Sequence, residues 1–155
     1  MHIYLNLIKK NLVLKLFLIF FMSLGSNLYA DQSVENIIKG RKALFSKNYN
    51  TAKRVQAFSS SGKFDKANEL ILEMSENYKK LLTMFPENTK EGFKTEALPI
   101  IWEEKKAFNA LMEKSSDNMI KLAKTIETTE DLSGTLKTLM WGSCKACHNK
   151  YRAEH

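Results

Sequence analysis

Cys144 and Cys147 stand three residues apart with His148 directly after the second, and they are the only cysteines in the 155-residue chain. Two thiols at that spacing can each add to a vinyl group of a haem. The adjoining imidazole then lies under the iron as its proximal axial ligand. Two other chemistries use the same residue types. A C-x-x-C redox pair usually follows a strand in a βαβ context, whereas this one sits near the end of a long helical pattern. A structural zinc site wants four ligands, and only His2 and His155, both at chain termini, remain to complete one. Covalent attachment of one haem c through Cys144 and Cys147, with His148 as the metal ligand, is the chemistry the motif supports best.

Positioning such a group falls to four helical stretches separated by three breaks. The first runs from about Ser33 to Phe58, with apolar positions Val34, Ile37, Ile38, Leu44, Phe45, Ala52 and Val55. After Ser59-Ser60-Ser61-Gly62, the second keeps three-four spacing through Phe64, Ala67, Ile71, Met74, Tyr78, Leu81 and Phe85. A loop follows from Pro86 to Leu98. Pro99 suits the first turn of a third helix, whose stripe includes Ile101, Trp102, Phe108, Met112, Met119, Leu122 and Ile126. Thr128 and Asp131 resemble a capping box for the fourth, which carries Leu132, Leu136, Leu139, Met140 and Ser143 and leads onto Cys147. No window alternates at period two, and no internal repeat is evident. Four amphipathic helices with short connections predict an all-α, antiparallel up-down four-helix bundle.

The N-terminus bears on compartment. Lys9, Lys10 and Lys15 precede the apolar run Leu16-Phe17-Leu18-Ile19-Phe20-Phe21-Met22, and small residues follow up to Ala30. That layout predicts a secretory signal peptide over 1–30, cleaved after Ala30, with an uncleaved membrane anchor as the alternative. The apolar run is short of the roughly 20 residues of a membrane span. Export to a periplasm fits the motif, since bacteria attach haem to such sites outside the cytoplasmic membrane. Removing 1–30 takes away three lysines and no acid, so 31–155 carries 21 basic and 17 acidic residues, a net of +4. No block of like charge and no aromatic-basic interleaving remains, which argues against a nucleic-acid partner. The segment 31–155 is long enough for one domain with one core.

A four-helix chain with C-x-x-C-H in its last helix resembles the cytochrome c-prime (cytochrome c') family, the class II c-type cytochromes. Cys144-Lys145-Ala146-Cys147-His148-Asn149-Lys150-Tyr151-Arg152 is similar to the family's closing signature, and Pro99-Ile100-Ile101-Trp102 to its P-x-I-W segment. Lys39-Gly40-Arg41 resembles the K-x-R of its first helix, with Gly40 where the family often has tyrosine. The up-down bundle is the family's own architecture.

Arg41 interrupts the apolar stripe of the first helix between Ile38 and Leu44. A buried arginine calls for an anion, whereas a snorkelling one would reach solvent or a glutamate of another helix. The resemblance favours a haem propionate. Lys42 and Thr89 are weaker candidates for the same polar edge. The resemblance also implies that Phe45, four positions after Arg41, faces the open, distal side of the iron. A low-spin subgroup has methionine there as a sixth ligand; phenylalanine has no lone pair to donate, and the helix from Ser33 to Phe58 contains no methionine or histidine. The implied iron is therefore five-coordinate and high-spin beneath a crowded, apolar pocket. Met74, Met84, Met112, Met119 and Met140 read mostly as core. Arg152 lies one helical turn beyond His148. It either flanks the proximal face, as the resemblance implies, or acts as a helix C-terminal charge. Trp102, Phe108 and Met140 are further candidates to line the haem.

Two function classes emerge. One is a periplasmic haem protein that binds a small gaseous ligand, nitric oxide above all. The alternative is a low-spin electron carrier working with a redox partner protein. The lack of a first-helix methionine favours ligand binding, with one-electron transfer as a compatible capacity. No distal acid–base pair suited to peroxide chemistry is identifiable, so no enzyme activity is expected. The resemblance further implies a homodimer built from the first two helices.

Overall fold

The computed structural model describes residues 33–154. The chain divides into units Met1–Asn36 and Ile37–His155, and the second unit holds the bundle. The expected signal segment 1–30 lies outside the described residues, as does His155.

The helix α1 covers residues 33–60. It buries Ile38, Arg41, Asn48, Thr51, Ala52, Val55 and Ser59. It runs two residues beyond Phe58 because Gly62, not the serine cluster, ends it. Gly62 takes φ +70°, its N–H donates to Ser59 O at 3.1 Å, and Lys63 N–H donates to Phe58 O at 2.9 Å. These are the paired bonds of a Schellman stop, which need a residue at ease in the left-handed region. Ser59 stays helical by donating from Oγ to Val55 O at 2.7 Å.

Helix α2, Phe64–Leu81, buries Ala67, Ile71, Met74, Tyr78 and Leu81 along the expected stripe. It stops one turn earlier than the pattern implies, so Phe85 is buried from the following loop rather than from the helix. That loop holds a short 3₁₀ turn, Glu87–Thr89. Pro99 precedes α3, Ile100–Glu103. Glu104 leaves helical geometry at φ −110°, ψ 40°, after which α4 runs over Lys105–Thr125. The expected third helix is thus two pieces. Helices α2 and α4 meet at small side chains, with Ser75 Oγ and Ser116 Oγ 2.8 Å apart.

The last bundle helix is the least regular. Asp131, not Thr128, is its N-cap, accepting from Gly134 N–H at 2.8 Å. The capping-box reading is corrected accordingly: Thr128 is tied instead to Thr125 O, in the preceding turn. Helix α5, Leu132–Leu136, passes into a π-helical turn, Lys137–Trp141, and then α6, Gly142–Tyr151. Gly142 N–H reaches back to Lys137 O, and a Cβ at Gly142 would sit 3.3 Å from that oxygen. The wide turn changes the facing of everything beyond it, including the cysteines.

The result is the antiparallel four-helix bundle. Its core is a continuous cluster that includes Val55, Ile71, Met74, Leu81, Phe108, Met112, Met119, Leu122 and Met140. Burying each such side chain contributes about 1.5–3 kcal/mol. Among the described residues, no helix is long and apolar enough to cross a membrane.

Candidate haem site

Helix α6 places Cys144, Cys147 and His148 at i, i+3 and i+4, on one face. All three line a cavity of about 590 Å³, within the ~300–1,000 Å³ of cofactor pockets. The facing wall comes from α1, where Arg41, Phe45 and Asn48 follow one stripe along some 10 Å of helix. Tyr78, Phe85, Ile101, Phe108 and Tyr151 add a mostly apolar surround, and Thr95, Glu96 and Ala97 close one end.

Both cysteines are free. Burial pushes the Cys147 thiol up to about 11, with neighbouring Cys144 adding to the effect. Burial also raises Cys144. A redox C-x-x-C pair depends on a lowered thiol, and the direction here is the opposite. The Tyr78 hydroxyl lies 3.7 Å from Cys144 Sγ.

Arg41 is 2% exposed. Its four hydrogen bonds all go to neutral oxygens: Nη1 donates to Met84 O (3.2 Å) and Thr89 Oγ1 (2.9 Å), and Nη2 to Thr89 O (3.0 Å) and Thr95 Oγ1 (2.6 Å). Its guanidinium carbon lies 4.6 Å from the Phe85 ring centroid. Burial lowers its pKa to about 10, so the group is still cationic at neutral pH. The result is a fixed, buried positive charge at the cavity edge, satisfied in hydrogen bonds but not neutralised by any of those partners. A carboxylate entering the cavity would supply the missing anion.

The other candidates are placed differently. Thr89 is fully buried behind Arg41 and is not among the lining residues; its Oγ1 also donates to Pro86 O at 2.8 Å. Lys42 lines the cavity, and its Nζ donates to Lys94 O at 2.9 Å. Phe45 is half-buried on the cavity wall, edge-on to Phe85 with centroids 6.4 Å apart. Arg152 lines the cavity, but from extended backbone beyond the end of α6 (φ −121°, ψ 140°). Arg152 therefore does not continue the helical turn beyond His148. Its Nε donates to Glu96 Oε2 at 2.9 Å, beside the isolated bridge between Ala97 and Arg152. Of the aromatic and methionine candidates, Phe108 lines the cavity, while Trp102 and Met140 do not. Trp102 Nε1 instead donates to Phe85 O and Pro86 O.

Sequence reasoning missed Asn48, Tyr78, Thr95 and Glu96. Asn48 was legible as the next position of the Arg41–Phe45 stripe, and Tyr78 was counted as core. Nothing local distinguishes Thr95 and Glu96 from other loop residues.

The residues fit a covalently held haem: two protonated thiols and an imidazole on one helix, an apolar chamber of the right size, and a buried cation for an acidic edge. Comparison with known proteins agrees. Residues 36–152 match the family model for Cytochrome C'. A cytochrome c' of Rhodopseudomonas palustris is 31% identical over 134 residues, 84% of this chain and 90% of that protein. The solved R. palustris cytochrome c' structure superposes with a TM-score of 0.65 at 28% identity, covering 77% of this chain and 97% of that one. Cytochrome c' from Rubrivivax gelatinosus gives 0.65 at 27% identity, with 77% and 96% covered. The chain belongs to the cytochrome c' family and is a c-type haem protein, its haem c held covalently through Cys144 and Cys147.

Proposed function

We propose that this protein binds a small neutral gaseous ligand, nitric oxide above all, at the open face of a five-coordinate, high-spin haem iron. The observation that carries this reading is Phe45. It stands on the α1 wall of the cavity, one turn from Arg41, and offers no lone pair. Of the described residues lining that cavity, His148 alone carries an imidazole and none is a methionine.

When bound, the haem supplies a reducible iron with one position for a diatomic ligand. The chain's own residues set the conditions. Cys144 and Cys147 would hold the group on α6, and His148 would supply its metal ligand. Arg41, held by Thr89 and Thr95, anchors a propionate, with Lys42 on the same rim. Phe45 and Phe85 restrict access and keep water from the open face. Arg152, turned aside by Glu96, borders the proximal edge. An apolar side chain such as Phe45 over the open position would favour nitric oxide and carbon monoxide over dioxygen, which depends more on a distal donor.

The chain also passes single electrons to a redox partner protein, and exposed Lys145 on α6 favours an acidic one. It carries out no catalysis. We further propose export to the periplasm with cleavage after Ala30. We also propose a homodimer through α1 and α2, which expose Tyr49 (51%) and Leu72 (49%); a monomeric mass in sedimentation would rule that assembly out.

The test of the main reading is an optical spectrum of the reduced, haem-loaded protein before and after adding nitric oxide. A broad high-spin Soret band that moves with the gas is expected. Sharp low-spin α and β bands that ignore the gas would move the assignment to a six-coordinate electron carrier.

A further inference from the structure

One group of polar side chains at the thiol end of the cavity is not used by the ligand-binding reading above. Asn77 Nδ2 donates to Asn48 Oδ1 at 2.9 Å, and both residues are 2% exposed. Asn48 Nδ2 is sealed from solvent and has no hydrogen-bond partner. An orphaned amide donor in the interior costs free energy. Burial holds the Tyr78 phenol protonated, well above its usual pKa, with Cys144 adding to the effect, and the neighbouring Asn48 side chain opposes that shift. The Tyr78 hydroxyl in turn approaches Cys144 Sγ at 3.7 Å, and with a free thiol either atom can donate.

Haem attachment removes that ambiguity. The thiol adds across a vinyl double bond: sulfur bonds one carbon, the thiol hydrogen goes to the other, and no electrons are exchanged with a third party. The thioether sulfur can only accept. If the Tyr78 contact is kept, its O–H is then the donor to sulfur, which turns its oxygen lone pairs towards Asn48. Asn77 already holds Asn48 Oδ1, fixing which end of the amide faces Tyr78.

We propose that Asn77, Asn48 and Tyr78 form a one-way hydrogen-bond chain that closes on the Cys144 sulfur when it becomes a thioether. Each member donates to the next, and the orphaned Asn48 amide gains its acceptor. Tyr78 is a positioning residue that holds the attachment point and draws electron density from the thioether. Asn48 and Asn77 polarise the Tyr78 hydroxyl and strengthen that pull. The proposal rests on the covalent haem alone, so it stands whether the iron is five- or six-coordinate.

The experiment is the midpoint reduction potential of the haem-loaded protein and of Tyr78→Phe, with both thioethers confirmed by mass. Losing the donor makes the macrocycle richer in electrons, so Tyr78→Phe is expected to lower the potential. A merely structural tyrosine would leave it unmoved. An unchanged or raised potential in correctly attached Tyr78→Phe overturns the proposal. Should Tyr78→Phe not fold, Asn48→Leu combined with Asn77→Leu decides the matter, because replacing both amides by apolar groups leaves no orphan. That double variant is expected to lower the potential relative to the unsubstituted protein, and an unchanged or raised potential in it overturns the chain.

Discussion

Thr89→Val isolates the residue that holds Arg41. Valine keeps the β-branch and nearly the volume at a fully buried site, so the change removes one hydroxyl and little else. That hydroxyl accepts from Arg41 Nη1 at 2.9 Å and donates to Pro86 O at 2.8 Å. A net hydrogen bond to a charged group contributes about 1.5–3 kcal/mol, and a neutral one about 1 kcal/mol. Nη1 keeps Met84 O at 3.2 Å, which offsets part of the loss. The expected cost is therefore about 2–3 kcal/mol, or roughly 10 °C in Tm for a domain of this size. Denaturant unfolding of the haem-loaded protein measures it, within a double-mutant cycle with Arg41→Met. Once Arg41 is gone, Thr89→Val costs only the Pro86 bond, leaving a coupling of about 1–2 kcal/mol. Thr89→Ser should recover most of the stability. Additive costs, with coupling below about 0.3 kcal/mol, would refute the view that Thr89 acts through Arg41.

Three further outcomes are expected. Phe45→Met places a thioether on the α1 wall, and the iron should turn low-spin in the optical spectrum; an unchanged spectrum would mean another residue faces the iron. Cys147→Ala leaves a single thioether, so haem should be poorly retained under denaturing extraction, and full covalent retention would contradict two-point attachment. Asp131→Ala removes the side chain that accepts from Gly134 N–H, and should lower stability by about 0.5–2 kcal/mol in thermal unfolding while leaving the haem spectrum alone.

Much of this molecule is legible in its sequence. Cys144, Cys147 and His148 sit so close in the chain that one helical turn brings them together. The stripes of α2 and α4 declare their buried faces because a helix repeats every 3.6 residues. Arg41 announces itself by breaking such a stripe between Ile38 and Leu44, a position that suits a buried or a snorkelling arginine alike. Where helices stop is harder to read. Gly62 and Asp131 end and begin helices through one or two hydrogen bonds, and neighbouring serines and threonines offer similar chemistry.

Other features depend on contacts between residues far apart in sequence. Arg41 meets Thr89 and Thr95 only because the loop after α2 folds back over α1, and no local pattern encodes that return. Arg152 turns out of α6 because Glu96 and Ala97 pair with it across 56 and 55 positions of chain. The π-helical turn Lys137–Trp141 sets the facing of the cysteines, yet its residues read as ordinary helix. Tyr78 passes for a core position until the bundle places it beside the Cys144 sulfur. Periodicity and spacing are properties of one strip of chain, so the sequence by itself determined the helical stretches and the haem attachment, and marked Arg41 as a candidate buried cation. The partners of that cation, and the polar chain behind the thiol, were decided by packing between helices, which only the tertiary structure contains.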